Sequence, residues 1–153
     1  MAPRHLFRTF AIAEAITWTF LIAGMLQKYV FEAGEWGVSI GGFLHGLIFI
    51  AYGMTVLLVG VNQRWSAGLM VTAVATAVIP YATIPFEMWA TRTGKLQGAW
   101  LREPTGDRHD NAWYARLLRW MLAHPIILTV VFVVALATIM TVLLVLGPPG
   151  GGN

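Results

Sequence analysis

Four apolar runs, set apart by short polar stretches, dominate the chain: Arg8 to Tyr29, Gly37 to Val61, Ser66 to Ala90 and Pro125 to Leu146. Each reaches the length of about 20 mostly apolar residues that a helix needs to cross a bilayer core. The pattern predicts an all-α membrane protein, a bundle of four transmembrane helices. Trp36, Trp65, Trp89 and Trp113 stand at or just beyond the ends of these runs, where indole rings settle at head-group level. Residues 91–124 form a basic loop. In its second half Trp113, Tyr114, Leu117, Leu118 and Met121 recur at helical spacing while Arg116 and Arg119 point elsewhere. This predicts an amphipathic helix lying in the interface before the fourth span, with a solvated loop helix as the alternative. The chain thus divides into a three-helix membrane domain at 1–90, the loop at 91–124, a fourth transmembrane helix at 125–147 and a flexible tail at 148–153.

Composition supports the membrane reading, with 58% hydrophobic and 11% charged residues against about 45–50% and about 25% in soluble domains. No remaining stretch is long and apolar enough to fold separately. The formal net charge of +3 comes from Lys and Arg at helix ends and in the loop. Anionic lipid head groups are the expected counter-charge there, and nucleic acid is not expected as a partner. The chain has no cysteine, so neither a disulfide nor a thiolate metal site is available. The first run follows Arg4 and Arg8 as a signal peptide would, but it is too long and contains Glu14, so it reads as a retained helix. Arg4 and Arg8 by themselves favour a cytoplasmic N-terminus. If all four runs cross, however, Arg4, Arg8 and Arg64 oppose Lys28 and the six basic residues of the long loop. Seven against three then favours external termini and a cytoplasmic loop, the alternative being that Pro80 and Pro85 keep the third run from crossing completely.

Apart from the tyrosines and from Arg8 and Lys28 at the ends of the first run, Glu14, His45 and Glu87 are the ionisable groups within the four runs, and such groups face protein or water. Glu14, about 9 Å inside its entry face by helical rise, is expected level with Tyr52 and Thr72, and His45 level with Tyr81. Thr72, Thr76, Pro80, Thr83 and Glu87 form a polar stripe on the third run, facing His45 and Tyr52 on the second. His45 is therefore expected to bond to Tyr81 or a backbone carbonyl, the alternatives being proton handling, ligand contact or haem. A haem would require a second histidine at that depth, and His124 stands at the surface. Glu14 is expected to bond to Tyr52 or Thr72, and Lys28 with Glu87 forms a candidate interfacial ion pair. Gly42, Gly46, Gly53 and Gly60 line one side of the second run, and Gly42 and Gly46 form a GxxxG pattern that admits close helix packing.

Lys28–Tyr29, His45–Gly46 followed by Tyr52, Trp65–Ser66, Ile79–Pro80 and Phe86–Glu87, in this order and spacing, resemble a family of small bacterial integral membrane proteins. That family is marked by a His-Gly pair and catalogued as a domain of unknown function, and the resemblance covers residues 6 to 90. Its members often end soon after the third helix with a basic residue after the Phe-Glu, whereas here Met88 follows and a loop and fourth helix are added. The resemblance implies a multi-pass protein of the bacterial plasma membrane and brings no biochemical activity with it. Small multidrug exporters also have four helices and a glutamate in the first, but their short loops do not match. No nucleophile–base pair, metal cluster or phosphate loop is present, so no enzyme, metal or cofactor is expected. The expected function is an accessory or assembly subunit, meeting a membrane-protein partner or a second copy through its glycine face and the basic interfacial helix. The alternative is a small proton-coupled carrier of a lipophilic or cationic substrate, using Glu14 and His45.

Overall fold

The computed structural model describes residues 1–147, so the tail expected at 148–153 lies outside the described residues. They form six α-helices: α1 Pro3–Tyr29, α2 Trp36–Asn62, α3 Ala67–Thr76, α4 Thr83–Arg92, α5 Trp113–Ala123 and α6 Pro125–Leu146, with a 3-10 turn at Arg108–Asn111. Three of these, α1, α2 and α6, are long and apolar enough to cross a membrane. Pro3 fits the first turn of α1, where a backbone N–H would lack a partner in any case. The amphipathic helix expected in the second half of the loop is α5, with Leu118 and Leu122 buried and Trp113, Leu117 and Trp120 exposed.

The third apolar run is not one helix. Pro80 has no N–H to give the carbonyl four residues back, and α3 ends at that residue, Thr76. Tyr81 then adopts a left-handed conformation, φ +64°, and α4 begins at Thr83. Pro85 falls in the first turn of α4, where proline is tolerated. Contacts along α1 and α2 give the direction of each half. Trp65 packs on Phe7 near the start of α1, the Tyr52 hydroxyl donates to the Ala73 carbonyl, and the Trp18 indole donates to the Ala77 carbonyl at the break. On the way back Thr83 donates to the Ala11 carbonyl and Phe86 lies 6.1 Å from Phe7. Asn62 and Trp65 then bond to the backbone at Ala99 and Lys95. The third run thus descends to mid-height and returns to the end of the bundle from which it started.

Several expectations change with this geometry. Glu87 ends up near the start of α1, the opposite end from Lys28, so the Lys28–Glu87 pair does not form. Glu87 instead accepts from Thr91 at 3.0 Å, and Lys28 pairs with Glu35 at 3.0 Å. The count of seven basic residues against three presumed a complete crossing. With the hairpin, Arg4, Arg8, Arg64 and the six loop residues share one end and Lys28 occupies the other. Trp65 is not a head-group anchor either, since it is 7% exposed and packs with Phe7 and Phe86.

The core lies at that same end, where Phe7, Tyr52, Trp65 and Phe86 pack with ring centroids 5.6–6.1 Å apart. Antiparallel α1 and α2 pack closely at the other end, but not through the glycines singled out above. A Cβ on Gly24 would lie 2.6 Å from the Val38 amide nitrogen, and one on Gly41 2.8 Å from the Phe20 carbonyl oxygen. Gly42 and Gly46 have room for a Cβ, Gly53 meets nothing within 4 Å, and Gly60 meets only the movable Met70 side chain and Trp65. The close-packing GxxxG is therefore Gly37 to Gly41, immediately before Gly42 to Gly46 in the chain.

A second tie closes the loop onto the bundle. Arg64, at the α2–α3 turn, reaches Asp107 at 3.3 Å and Asp110 at 3.0 Å, and Arg119 on α5 reaches Asp110 at 3.4 Å. Burial alone would push the Asp110 carboxyl up, but bonds from the Thr105 backbone, Arg64, the Thr105 hydroxyl and the Asp107 backbone outweigh it and hold it down at about 2. A carboxyl lowered by folding contributes stability above its unfolded value of 3.8 and loses it as pH falls through about 2. The loop is expected to resist pepsin at pH 4 and to be cut at pH 2. Asp110→Asn is expected to expose it already at pH 4, and equal resistance in the two proteins would refute the tie.

Candidate functional site

Glu14, Thr17 and Trp18 occupy one face of α1, three and four residues apart, and meet His45 of α2. The His45 ring lies 4.4 Å from the Trp18 ring and 6.2 Å from that of Phe49. Its Nδ1 is 3.3 Å from the Thr17 hydroxyl and 3.7 Å from a Glu14 carboxyl oxygen. The Thr17 hydroxyl donates its one proton to the Glu14 backbone carbonyl at 3.0 Å. With that proton committed its oxygen can only accept, which assigns a proton to His45 Nδ1. Glu14 is fully buried, and neither of its carboxyl oxygens has a hydrogen-bond partner among the described residues. Such a group is expensive to bury unless something meets it. His45 Nδ1, at 3.7 Å, stands beside that carboxyl but beyond hydrogen-bonding distance.

Of the expected polar cluster, Glu14 and His45 do come together, but His45 faces α1 rather than Tyr81 and the threonine stripe. Tyr52 bonds to the Ala73 carbonyl at 3.1 Å and the Thr76 hydroxyl at 3.3 Å, so it meets α3 rather than Glu14. Thr72 is exposed and donates to its own helix at Gly68. Tyr81 is half-exposed at the break and lies 3.3 Å from Thr19. Glu87 is remote from the site. The break separates these residues, because a stripe drawn on one continuous helix does not survive a reversal of direction at Pro80. Thr17 and Trp18 were missed, although their spacing from Glu14 puts all three on one face. Among the described residues no group of His, Asp and Glu is placed to hold a metal ion.

A family model described as "Domain of unknown function (DUF3817)" matches residues 4–92. A Streptomyces coelicolor protein described as a candidate membrane protein is 45% identical over 102 residues. That match takes in 66% of this chain and only 12% of the relative, so the chain spans a small part of that protein's length. No solved structure matches. The matched residues run from the start of α1 to the end of α4 and contain both halves of the hairpin together with Glu14 and His45. With more than half of its length inside that model, this membrane protein belongs to the DUF3817 family.

Proposed function

We propose that the protein is a non-enzymatic accessory module of a larger assembly in the bacterial plasma membrane. Three helices cross the bilayer, and the α3–α4 hairpin enters and leaves on the side of the N-terminus. That side is cytoplasmic, because nine of the ten Lys and Arg lie there. The observation that carries the accessory reading is the set of bonds from side chains of one element to backbone carbonyls of another. Tyr52 to Ala73, Trp18 to Ala77 and Thr83 to Ala11 lock the hairpin to α1 and α2. A carrier must move its elements past one another, and these bonds oppose that. The small share of the S. coelicolor relative that matches is in keeping with a module that works beside other polypeptide. α6, which buries none of its residues, offers an apolar surface to lipid or partner.

The second reading, a proton-coupled carrier, is favoured by the unpartnered Glu14 carboxyl beside His45. The two readings predict opposite orders of damage. For an accessory module, Glu14→Gln retains shape, so it should complement a deletion strain and preserve the size of the complex on a native gel. The double variant Trp18→Phe, Tyr52→Phe loses two bonds of about 1 kcal/mol each and should impair both. For a carrier, Gln cannot release a proton and complementation fails. Folded, normally abundant Glu14→Gln protein that fails to complement would sink the accessory reading.

A further inference from the structure

The cytoplasmic end contains a cavity of about 510 Å³ between the α2–α3 turn, the loop and α5, within the usual size range for small-molecule sites. Arg64, Arg119 and Asp110 line one part of it, and Trp65, Met70 and Leu118 another. A second cavity of about 150 Å³ lies between α2 and α5 and is almost wholly apolar, lined by Leu57, Leu117 and Met121 among others. The two share Val61, Tyr114 and Leu118, so they adjoin. Leu57 and Leu117 are about half exposed, so the apolar slot opens outward toward the lipid. A polar chamber at head-group depth that leads into an apolar slot has the shape of an amphiphile.

The charge of this end selects the head group. Nine basic residues share it with Glu87, Glu103, Asp107 and Asp110. A guanidinium carries five N–H donors, and the contacts of Arg64 to Asp107, Asp110 and Thr105 occupy three. Asp110 fixes Arg64 and Arg119 in place at the cavity wall, so little side-chain freedom is lost when their remaining donors meet an oxyanion. The geometry points to a binding site for one anionic phospholipid, its phosphate at Arg64 and Arg119 and an acyl chain in the Leu57–Leu117 slot. Basic pockets between helices on the cytoplasmic side bind anionic head groups by the same physics. The site uses the proposed membrane placement only for its depth, and a binding experiment in detergent is independent of orientation and of any assembly role.

The full chain in mild detergent is titrated with phosphatidylglycerol, phosphatidylcholine or glycerol 3-phosphate, and retained ligand is counted by native mass spectrometry. One phosphatidylglycerol is expected to be retained, with phosphatidylcholine at least about tenfold weaker and glycerol 3-phosphate, which lacks the chains, not retained. Ala115→Trp fills the chamber without touching the Arg–Asp ties and should weaken phosphatidylglycerol about tenfold or more. Leu117→Asn makes the slot polar at an exposed position and should do likewise even if the tryptophan variant fails to fold. Arg116→Gln, on the exposed face of α5, should leave retention unchanged. Equal retention of phosphatidylcholine, binding of glycerol 3-phosphate, or normal retention by a folded Ala115→Trp or Leu117→Asn protein would overturn the site.

Discussion

Gly24→Ala is expected to destabilise the protein by about 3 kcal/mol, the upper end for one added methyl group. The methyl would lie 2.6 Å from the Val38 amide nitrogen and as close to the Gly37 backbone, and backbone atoms cannot rotate aside as a side chain does. Relief requires α1 and α2 to separate, which pulls apart the Thr17–His45 contact on the same interface. Gly53→Ala should move stability the other way. It meets nothing within 4 Å, and alanine in a helix interior gains about 0.5–1 kcal/mol over glycine. Thermal unfolding in detergent checks both changes. A Gly24→Ala protein as stable as the parent would mean that the helices are not in contact there.

The second large effect is an all-or-none pattern of labelling. The chain has no native cysteine, so His5→Cys, Ala33→Cys and Glu103→Cys each place one thiol at a known point. An impermeant thiol reagent applied to intact cells should label Ala33→Cys and leave His5→Cys and Glu103→Cys untouched until the cells are opened. The reason is that α3 and α4 return to the same end, so the N-terminus and the loop share a compartment. Labelling of His5→Cys with protection of Glu103→Cys would show that the third apolar run crosses after all. Labelling of both with protection of Ala33→Cys would invert the orientation and keep the hairpin.

Long, strongly apolar helices were legible in the sequence because burial in lipid makes composition and length nearly sufficient. α2 and α6 fall within a residue of the runs read for them, and α5 was marked by its two-sided pattern. The hairpin was not legible, since Ser66 to Ala90 has the same composition whether it crosses or turns back. Pro80 and Pro85 signal a break without giving the angle of the chain beyond it. The misplaced partners beyond the break, Glu87 with Lys28 and Tyr81 with His45, followed from that one choice, whereas Thr72, before the break, misses Glu14 because it lies on the exposed side of α3. The Glu14–His45 pairing depended on α1 and α2 alone and was partly recoverable, since both had been picked out as ionisable. The glycines failed for a different reason. Gly37, Gly41, Gly42 and Gly46 offer two successive GxxxG patterns, and only the neighbouring helix selects between them.

The reversal at residues 77–82 also constrains the order in which the chain is put together as it leaves the ribosome. Each ten-residue half is about 15 Å long, half the thickness of the hydrocarbon core, so neither half can be threaded through as an ordinary span. Its irregular backbone is tolerated at that depth only once protein surrounds it. The groups that meet it, Trp18 on α1 and Tyr52 on α2, come earlier in the chain. In the proposed membrane placement, α1 and α2 are therefore expected to be inserted and paired before the hairpin leaves the aqueous side, which would make its entry a templated step of biogenesis.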